Sequence, residues 1–174
     1  MNLLTHQYLS AADPLRRLLD PHTANTGAVL ACWPPLDEFT PPEQRQDWTG
    51  REWAEFLDGP THEWPFSHGP GRSRRPIWHA QATLPGSAAV PGRWWWRRAG
   101  HRLPAAGPGG GSGNRWIAVH EAPGRVHLLV NLIDEHGGWA DVPCPRLAAE
   151  ARLFAGPPHA QIAPTRSPLP ARRR

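Results

Sequence analysis

The pattern of apolar and polar positions is clearest in the stretch RWIAVHEAPGRVHLLVNLIDEHGG, from Arg115 to Gly138. Two apolar runs, Arg115 to Val119 and Val126 to Ile133, flank the polar turn EAPGR, an arrangement typical of a β-hairpin. DEHGG supplies the turn residues that end the second run. The pattern therefore predicts two strands with a histidine, His127, inside the second one.

Two other segments have the pattern of strands. The run AVLAC, Ala28 to Cys32, is apolar throughout and is followed by two prolines, which predicts a short buried strand. In RRPIWHAQATL, polar and apolar positions alternate from Ile77 to Leu84, so this strand has one apolar face and one mixed face. His79 belongs to the mixed face. A solvent-facing or hydrogen-bonded structural role is the commoner one there, and a role as metal ligand or phosphate contact stays open.

Helices are predicted at two places. TGRE contains a capping box formed by Thr49 and Glu52, and apolar residues follow at helical spacing, which predicts a helix from about Thr49 to Asp58. A second helix is predicted from Pro145 to Phe154. The segment from Met1 to Leu19 fits either one amphipathic helix or a strand followed by a turn. Together these elements predict an α+β fold with an antiparallel central sheet and flanking helices.

Composition adds irregular arms to this picture. The chain of 174 residues suits one domain and contains 22 Pro and 17 Gly, which favours loops, while ten Trp supply apolar surface for a modest core. The low-complexity run PAAGPGGGSGN lies in a stretch, residues 87–114, that we expect to be an irregular or disordered insert. The domain organisation predicted is one domain over residues 1–156 and a disordered, basic, Pro- and Arg-rich tail over residues 157–174.

The chain contains no lysine, so all 19 of its lysine or arginine residues are arginines, and the formal net charge is +4. One explanation is codon usage in a GC-rich genome, and the other is a polyanionic partner, because guanidinium groups bind phosphates and stack on bases. The two explanations are compatible. On charge alone, nucleic acid is the favoured class of partner.

Cysteines and hydropathy exclude several classes of protein. Cys32 and Cys144 have no closely spaced Cys or His companion, so the sequence predicts neither a zinc ribbon nor a disulfide framework. No apolar run approaches the ~20 residues of a membrane span, and MNLLTHQYLSAADPLRR lacks the features of a signal peptide. We therefore expect a reduced, cytoplasmic protein without a membrane partner.

Three short blocks carry a resemblance to a known family. They are DPH at Asp20–His22, PIWHAQATLPG at Pro76–Gly86, and RWIAVHEAPGRVHLLVNLI at Arg115–Ile133. In order and spacing, these blocks resemble the amino-terminal nuclease domain of the relaxases, or mobilisation nucleases, of actinobacterial plasmids and integrated elements. The resemblance implies a relaxase-like fold and a role in conjugation, with single-stranded DNA at a transfer origin as the substrate and conjugation accessory proteins as further partners.

The resemblance also implies a chemistry. Relaxases of this kind nick one strand with a tyrosine near the amino terminus, which becomes joined to the 5′ phosphate. A divalent metal such as Mg²⁺ or Mn²⁺, held by histidines, polarises the phosphate. Tyr8 is the one tyrosine of this chain and lies before DPH, so it would be the nucleophile. The alternative is that Tyr8 only packs against Leu4 and Leu9.

At the metal site, the chain departs from the family pattern. The second histidine of the His-hydrophobe-His pair is His127, but the first falls on Arg125, which cannot bind a cation. The upstream histidine falls on Glu121, with His120 beside it. The ligand set implied is therefore His127, Glu121 and His120, with at least one imidazole fewer than the family has.

Several basic residues are candidates for contacts with DNA, namely Arg125, His79, Arg74, Arg75, Arg97 and Arg98. The last two belong to GRWWWRR, whose rings and guanidinium groups suit single-stranded DNA. Three adjacent Trp cannot share one face of a helix, so translation of residues 87–113 from a shifted frame is a further hypothesis. Besides an active relaxase, the sequence is compatible with a catalytically inactive, DNA-binding accessory mobilisation protein and with the non-functional product of a decayed gene.

Overall fold

A computed structural model describes residues 2–20, 27–83 and 113–140 of the chain. The described part contains five strands and three α-helices, together with two short 3₁₀ turns at Pro42–Arg45 and Pro70–Arg72. In chain order the elements are β1 (Asn2–Tyr8), α1 (Ala12–Leu19), β2 (Ala28–Cys32), α2 (Leu36–Phe39), α3 (Gly50–Glu63), β3 (Ile77–Thr83), β4 (Trp116–Ala122) and β5 (Arg125–Asn131).

The strands form one antiparallel sheet in the order β1-β3-β5-β4-β2. The α+β class and the antiparallel central sheet are thus confirmed. Strand β5 lies in the middle of the sheet, between β3 and β4. It forms a hairpin with β4, which in turn pairs with the edge strand β2. His127 is therefore on the central strand, where both of its neighbouring strands can supply partners for its side chain.

Helix α3 packs against β5, and Asn131 ties the two together. Asn131 is fully buried, and its Nδ2 donates to the carbonyl of Leu57 (2.8 Å) and to Oγ1 of Thr61 (3.0 Å), both on α3. Its Oδ1 accepts from the backbone N–H of Ile133 at 2.9 Å. Because side chains alternate along a strand, Leu129, His127 and Arg125 lie on the same face of the sheet as Asn131. That face is the one on which α3 packs.

Helix α1 is held to α3 through a buried carboxylate. Asp58 accepts hydrogen bonds from Ser10 Oγ (2.6 Å) and from the N–H of Ala11 (2.9 Å), just before α1 begins. Burial raises the pKa of Asp58, although these two bonds oppose the shift. The two helices also approach closely at Gly50, where an added Cβ would lie 2.9 Å from the carbonyl oxygen of Leu15. These contacts fix the start of α1 on α3, and with it the end of β1, the strand that precedes α1.

The prediction for α3 is confirmed at its start and too short at its end. Thr49 is the N-cap and forms the capping box with Glu52, as predicted. The helix continues past Pro60 to Glu63. Proline has no N–H to donate to Phe56 four residues earlier. Arg115 takes its place, because its Nη1 donates to the Phe56 carbonyl at 2.9 Å, so the helix crosses the proline without a buried, unpaired oxygen.

The other predicted elements have mixed outcomes. Strand β2 has the predicted bounds, and the Met1 to Leu19 segment is a strand followed directly by a helix. The turn of the hairpin is narrower than EAPGR, because Ala122 pairs with Arg125 across Pro123 and Gly124, and Gly124 has a φ of 71°. Asn114 was predicted to be the last residue of the irregular insert. It is instead buried, and its Nδ2 donates to the carbonyl of Asn131 at 2.7 Å.

Some predictions fall outside the described residues. These are residues 87–112 of the insert, the helix Pro145–Phe154, the tail, residues 21–22 of the DPH block, and the residues Arg97 and Arg98. Within the described ranges, no helix is both long and apolar enough to cross a membrane.

Candidate active site

The register of the sheet brings Tyr8, His79 and His127, which were predicted from the sequence, onto one face together with His6. His6 on β1 is opposite His79 on β3, and Tyr8 is opposite Ile77. His127 on β5 is opposite Gln81, two residues further along β3 than His79. Alternation then places His6, Tyr8, His79 and His127 on the face of the sheet that carries Asn131.

A bulge adds a carboxylate to this face. On β4, His120 pairs with Val126 and Ala122 pairs with Arg125, so the register shifts between them and leaves Glu121 as the extra residue. Bulges of this kind re-aim a side chain. The Glu121 carboxylate reaches His127, whereas His120 is opposite Val126, on the other face of the sheet. The structure thus brings together two members of the implied ligand set, His127 and Glu121, and separates the third.

A chain of hydrogen bonds links the carboxylate to both imidazoles. His127 Nε2 lies 2.9 Å from Glu121 Oε2, and His127 Nδ1 lies 2.9 Å from His79 Nε2. The histidines are 3% and 7% exposed, respectively, which shields both bonds from water. We name this group, Glu121, His127 and His79, the relay cluster. Of the alternatives left open by the sequence, His79 is thus hydrogen-bonded and does not face solvent, and its role stays a prediction.

The directions of these bonds follow from the chemistry of the groups. An ionised carboxylate can only accept, so His127 donates from Nε2 and, when neutral, accepts at Nδ1. His79 then donates from Nε2, which leaves a lone pair on its Nδ1. That nitrogen is buried and has no hydrogen-bond partner among the described residues. The relay cluster therefore ends in an unused proton acceptor.

Electrostatics keep the two histidines neutral. Burial, helped by the nearby His127 and His6, lowers the pKa of His79 to about 3. Burial also lowers the pKa of His127, although the bond and charge of Glu121 oppose this shift. Burial acts to raise the pKa of Glu121, but His127 and Arg125 outweigh it, and the pKa is lowered. An anionic carboxylate beside two neutral imidazoles is the state expected at neutral pH.

The ring of Tyr8 lies near that of His79, the last residue of the relay cluster. Its ring centroid is 5.9 Å from that of His79 and 6.3 Å from that of His6. The side chain is half-buried, and it also lines a surface cavity of about 460 Å³ together with Asp13 and Arg75. The ring contacts of Tyr8 are thus with imidazoles, and its side chain also packs against the hydrophobic core. Packing against Leu4 and Leu9 stays the alternative to a role as nucleophile.

Three of the arginines predicted to contact DNA lie within the described residues, at two different places. Arg125 is half-exposed and donates to Glu121 at 3.3 Å. Arg74 and Arg75 are exposed in the loop before β3, and Arg75 lines the cavity beside Tyr8. His6 was not predicted from the sequence as a site residue, although the two-residue spacing of His6 and Tyr8 in HQY places both on one face of a strand.

The nitrogens of the relay cluster do not fit a metal site as they stand. Both ring nitrogens of His127 and Nε2 of His79 are engaged in hydrogen bonds, so only Nδ1 of His79 is free to ligate. Among the described residues, no group of three or more His, Cys, Asp or Glu is arranged to hold a metal ion. The relay cluster as it stands therefore supports no metal-dependent step, and the expected divalent ion stays a prediction.

Comparisons with known proteins yield no match: no protein-family model, no curated protein and no solved structure matches the chain. The basis for a function is accordingly the geometry around Tyr8, the charge of the chain and the three sequence blocks.

Proposed function

We propose that the protein is a relaxase-like nuclease that cuts single-stranded DNA through Tyr8. The observation that carries the proposal is the position of Tyr8 beside His79, whose Nδ1 is an unpaired acceptor at the end of the relay cluster. A phenol becomes an effective nucleophile when an adjacent base takes its proton. The basic character of the chain, with a pI near 10.3, and Arg75 in the cavity beside Tyr8 support a phosphodiester as the group attacked.

The proposed step balances as a transesterification. The Tyr8 oxygen forms a bond to phosphorus, and the bond from phosphorus to the 3′ oxygen of the preceding nucleotide breaks. The Tyr8 hydroxyl moves into hydrogen-bond reach of His79 Nδ1 and gives its proton to that nitrogen, and the departing 3′ oxygen takes a proton from water. The products are a strand with a free 3′ hydroxyl and a strand whose 5′ phosphate is joined to Tyr8.

Glu121 and His127 explain how a histidine with a low pKa serves in this step. Because the pKa of His79 is about 3, a proton is not stable on that ring. The hydrogen bonds allow His79 to accept at Nδ1 while releasing its Nε2 proton to His127, which in turn releases one to Glu121. The proton then resides on the Glu121 carboxylate, which becomes neutral, so no imidazolium stays buried.

The decisive experiment incubates the purified protein with a labelled single-stranded oligonucleotide that carries the neighbouring transfer origin. Reactions contain Mg²⁺, Mn²⁺ or EDTA, which also tests the expected metal requirement. We expect a covalent protein–DNA adduct on a denaturing gel, lost in Tyr8→Phe and strongly reduced in His79→Gln. An exposed histidine in a turn provides the matched control, since His136→Gln should form the adduct at the normal rate. Absence of an adduct under all three conditions contradicts the proposal.

A second candidate function is a DNA-binding accessory role without catalysis. It is favoured by Arg125, which occupies the position of a family histidine and bonds to Glu121 instead of to a metal. Under this alternative, the wild-type protein binds the oligonucleotide in a salt-sensitive manner but forms no adduct, and Tyr8→Phe changes nothing.

A further inference from the structure

The loop between α3 and β3 presents aromatic rings and arginines together. Within it, Phe66 is 85% exposed and Trp64 is 43% exposed, although large apolar side chains are usually covered. Its sequence from Trp64 to Pro76, WPFSHGPGRSRRP, contains no acidic residue, and its three arginines, Arg72, Arg74 and Arg75, are exposed. The loop thus combines exposed aromatic rings, on which bases can stack, with guanidinium groups, which bind phosphates. Single-stranded nucleic acid is recognised by this combination.

The start of the loop is anchored to the turn that follows β5. Ser67 Oγ donates to the carbonyl of Gly137 at 2.7 Å. The ring of Trp64 lies over the same glycine, where an added Cβ would be 2.7 Å from the indole. Trp139 packs in the same way on Gly69. These contacts fix the backbone on both sides of Phe66, so the position of its exposed ring is restricted.

The two arms of the loop are joined to each other. The N–H of Gly69 donates to the carbonyl of Ser73 at 3.1 Å, which closes the turn around Pro70–Arg72. Beyond that turn, Arg74 Nε donates to His68 Nε2 at 3.2 Å, and His68 Nδ1 bonds to the carbonyl of Phe66. Phe66 and Arg74 are therefore linked through one imidazole.

The second arm leads to Tyr8. Arg75 follows Arg74 directly and lines the cavity that Tyr8 also lines. Asp13 shares this cavity, but it is paired with Arg16 at 3.5 Å, which offsets its charge. A continuous series of groups thus runs from Phe66 through His68 and Arg74 to Arg75 and the candidate nucleophile.

We propose that the loop from Trp64 to Arg75 is the path along which single-stranded DNA lies next to Tyr8. A base stacks on Phe66, and the guanidinium groups of Arg74 and Arg75 bind the phosphates that lead to the cavity. Duplex DNA fits this surface less well, because its bases are stacked on one another and cannot reach Phe66. The inference rests on the proposed function for the identity of the strand, and its binding test is independent of cleavage.

The test measures binding of a fluorescent single-stranded oligonucleotide by anisotropy in the Tyr8→Phe background, where no adduct can form. We expect Phe66→Ala to weaken binding by about 5- to 100-fold, the loss typical of one base–aromatic stack, and Phe66→Tyr to restore it. Phe39→Ala is the matched control, because Phe39 is 75% exposed on α2, and it should bind normally. Arg74→Gln and Arg75→Gln should each reduce the slope of log K against log salt by about 0.7.

The outcomes separate this inference from the proposed function. Equal binding by Phe66→Ala and Phe39→Ala overturns the path, and so does a wild-type protein that binds no single strand or prefers duplex. Loss of binding in Phe66→Ala alone supports the path even if the wild-type protein forms no adduct, a result that would reject only the nuclease. Because Phe66 is exposed, thermal unfolding of its variants should match that of the wild type, which excludes misfolding as the cause.

Discussion

The buried histidine pair makes the stability of this fold sensitive to mild acid. The ordinary pKa of a histidine is near 6.5, whereas burial and the neighbouring histidines hold that of His79 at about 3. Between these values the unfolded chain binds a proton at this residue and the folded chain does not. The stability that His79 contributes is therefore fully present above pH 6.5 and is lost as the pH falls towards 3.

The size of the effect follows from the width of this window. Each unit of pH below 6.5 lowers the free energy of unfolding by up to about 1.4 kcal/mol, so at pH 5 the loss from His79 is about 2 kcal/mol. The pKa of His127 is also lowered by burial, and its contribution has the same sign. The raised pKa of Asp58 has the opposite effect on stability. This carboxyl binds a proton more readily in the folded chain than in the unfolded chain, so its contribution to the free energy of unfolding increases as the pH falls. Since small domains have only ~5–15 kcal/mol in total, the loss is large enough to measure.

The assay is urea denaturation at a series of pH values from 7.5 to 4.5, a range of conditions chosen around the ordinary histidine pKa of about 6.5. It compares wild type with His79→Gln, in which an amide can still donate to His127 but cannot titrate. Subtraction of the two profiles removes the contribution of Asp58, which both proteins share. We expect the wild type to lose about 2 kcal/mol more than His79→Gln between pH 7 and pH 5. The exposed-histidine variant His136→Gln should retain the full loss.

Two results would refute this reasoning. The first is a free energy of unfolding for the wild type that stays constant from pH 7 to pH 5. The second is an equal loss in wild type and His79→Gln, which would show that other groups cause the acid sensitivity. Either result would also remove the physical basis for a neutral His79 with a free Nδ1.

Three further predictions concern the elements that hold the site, each measured by urea denaturation at pH 7. Asn131→Ala should cost about 2–4 kcal/mol, because it removes two donated hydrogen bonds and leaves a buried N–H unpaired. Leu129→Ala should cost about 2–5 kcal/mol as a fully buried side chain beside His127 on the central strand. Thr49→Ala should cost about 1 kcal/mol through loss of the N-cap. Thr83→Ala, at an exposed strand end, is the common control and should stay within about 0.5 kcal/mol of wild type; similar losses in all four variants would contradict the assignment of the core.

Patterns within single segments were enough to predict the local elements. The bounds of β2, the N-cap at Thr49 and the strand that begins at Ile77 each depend on residues a few positions apart, and each is confirmed. The α+β class followed from their order along the chain. The nucleophile proposed for this protein, Tyr8, could also be named from the sequence, because the chain offers one tyrosine.

The composition of the site was decided by the tertiary structure. Alternation places His79 on a face of its strand, but only the pairing of β3 with β5 shows that His127 lies within hydrogen-bond distance, 48 residues away. The bulge in β4 then selects Glu121 over the adjacent His120, a choice that no periodicity in the sequence indicates.

The same limit applies to the end of α3. A proline at position 60 predicts that a helix stops, and the helix continues because Arg115, far along the chain, donates to the carbonyl that the proline leaves free. A sequence pattern indicates which backbone and side-chain groups require a hydrogen-bond partner, because this depends on residues close together in the chain. Which group meets each need depends on contacts between distant segments, and these exist only once the sheet has paired and the helices have packed on it.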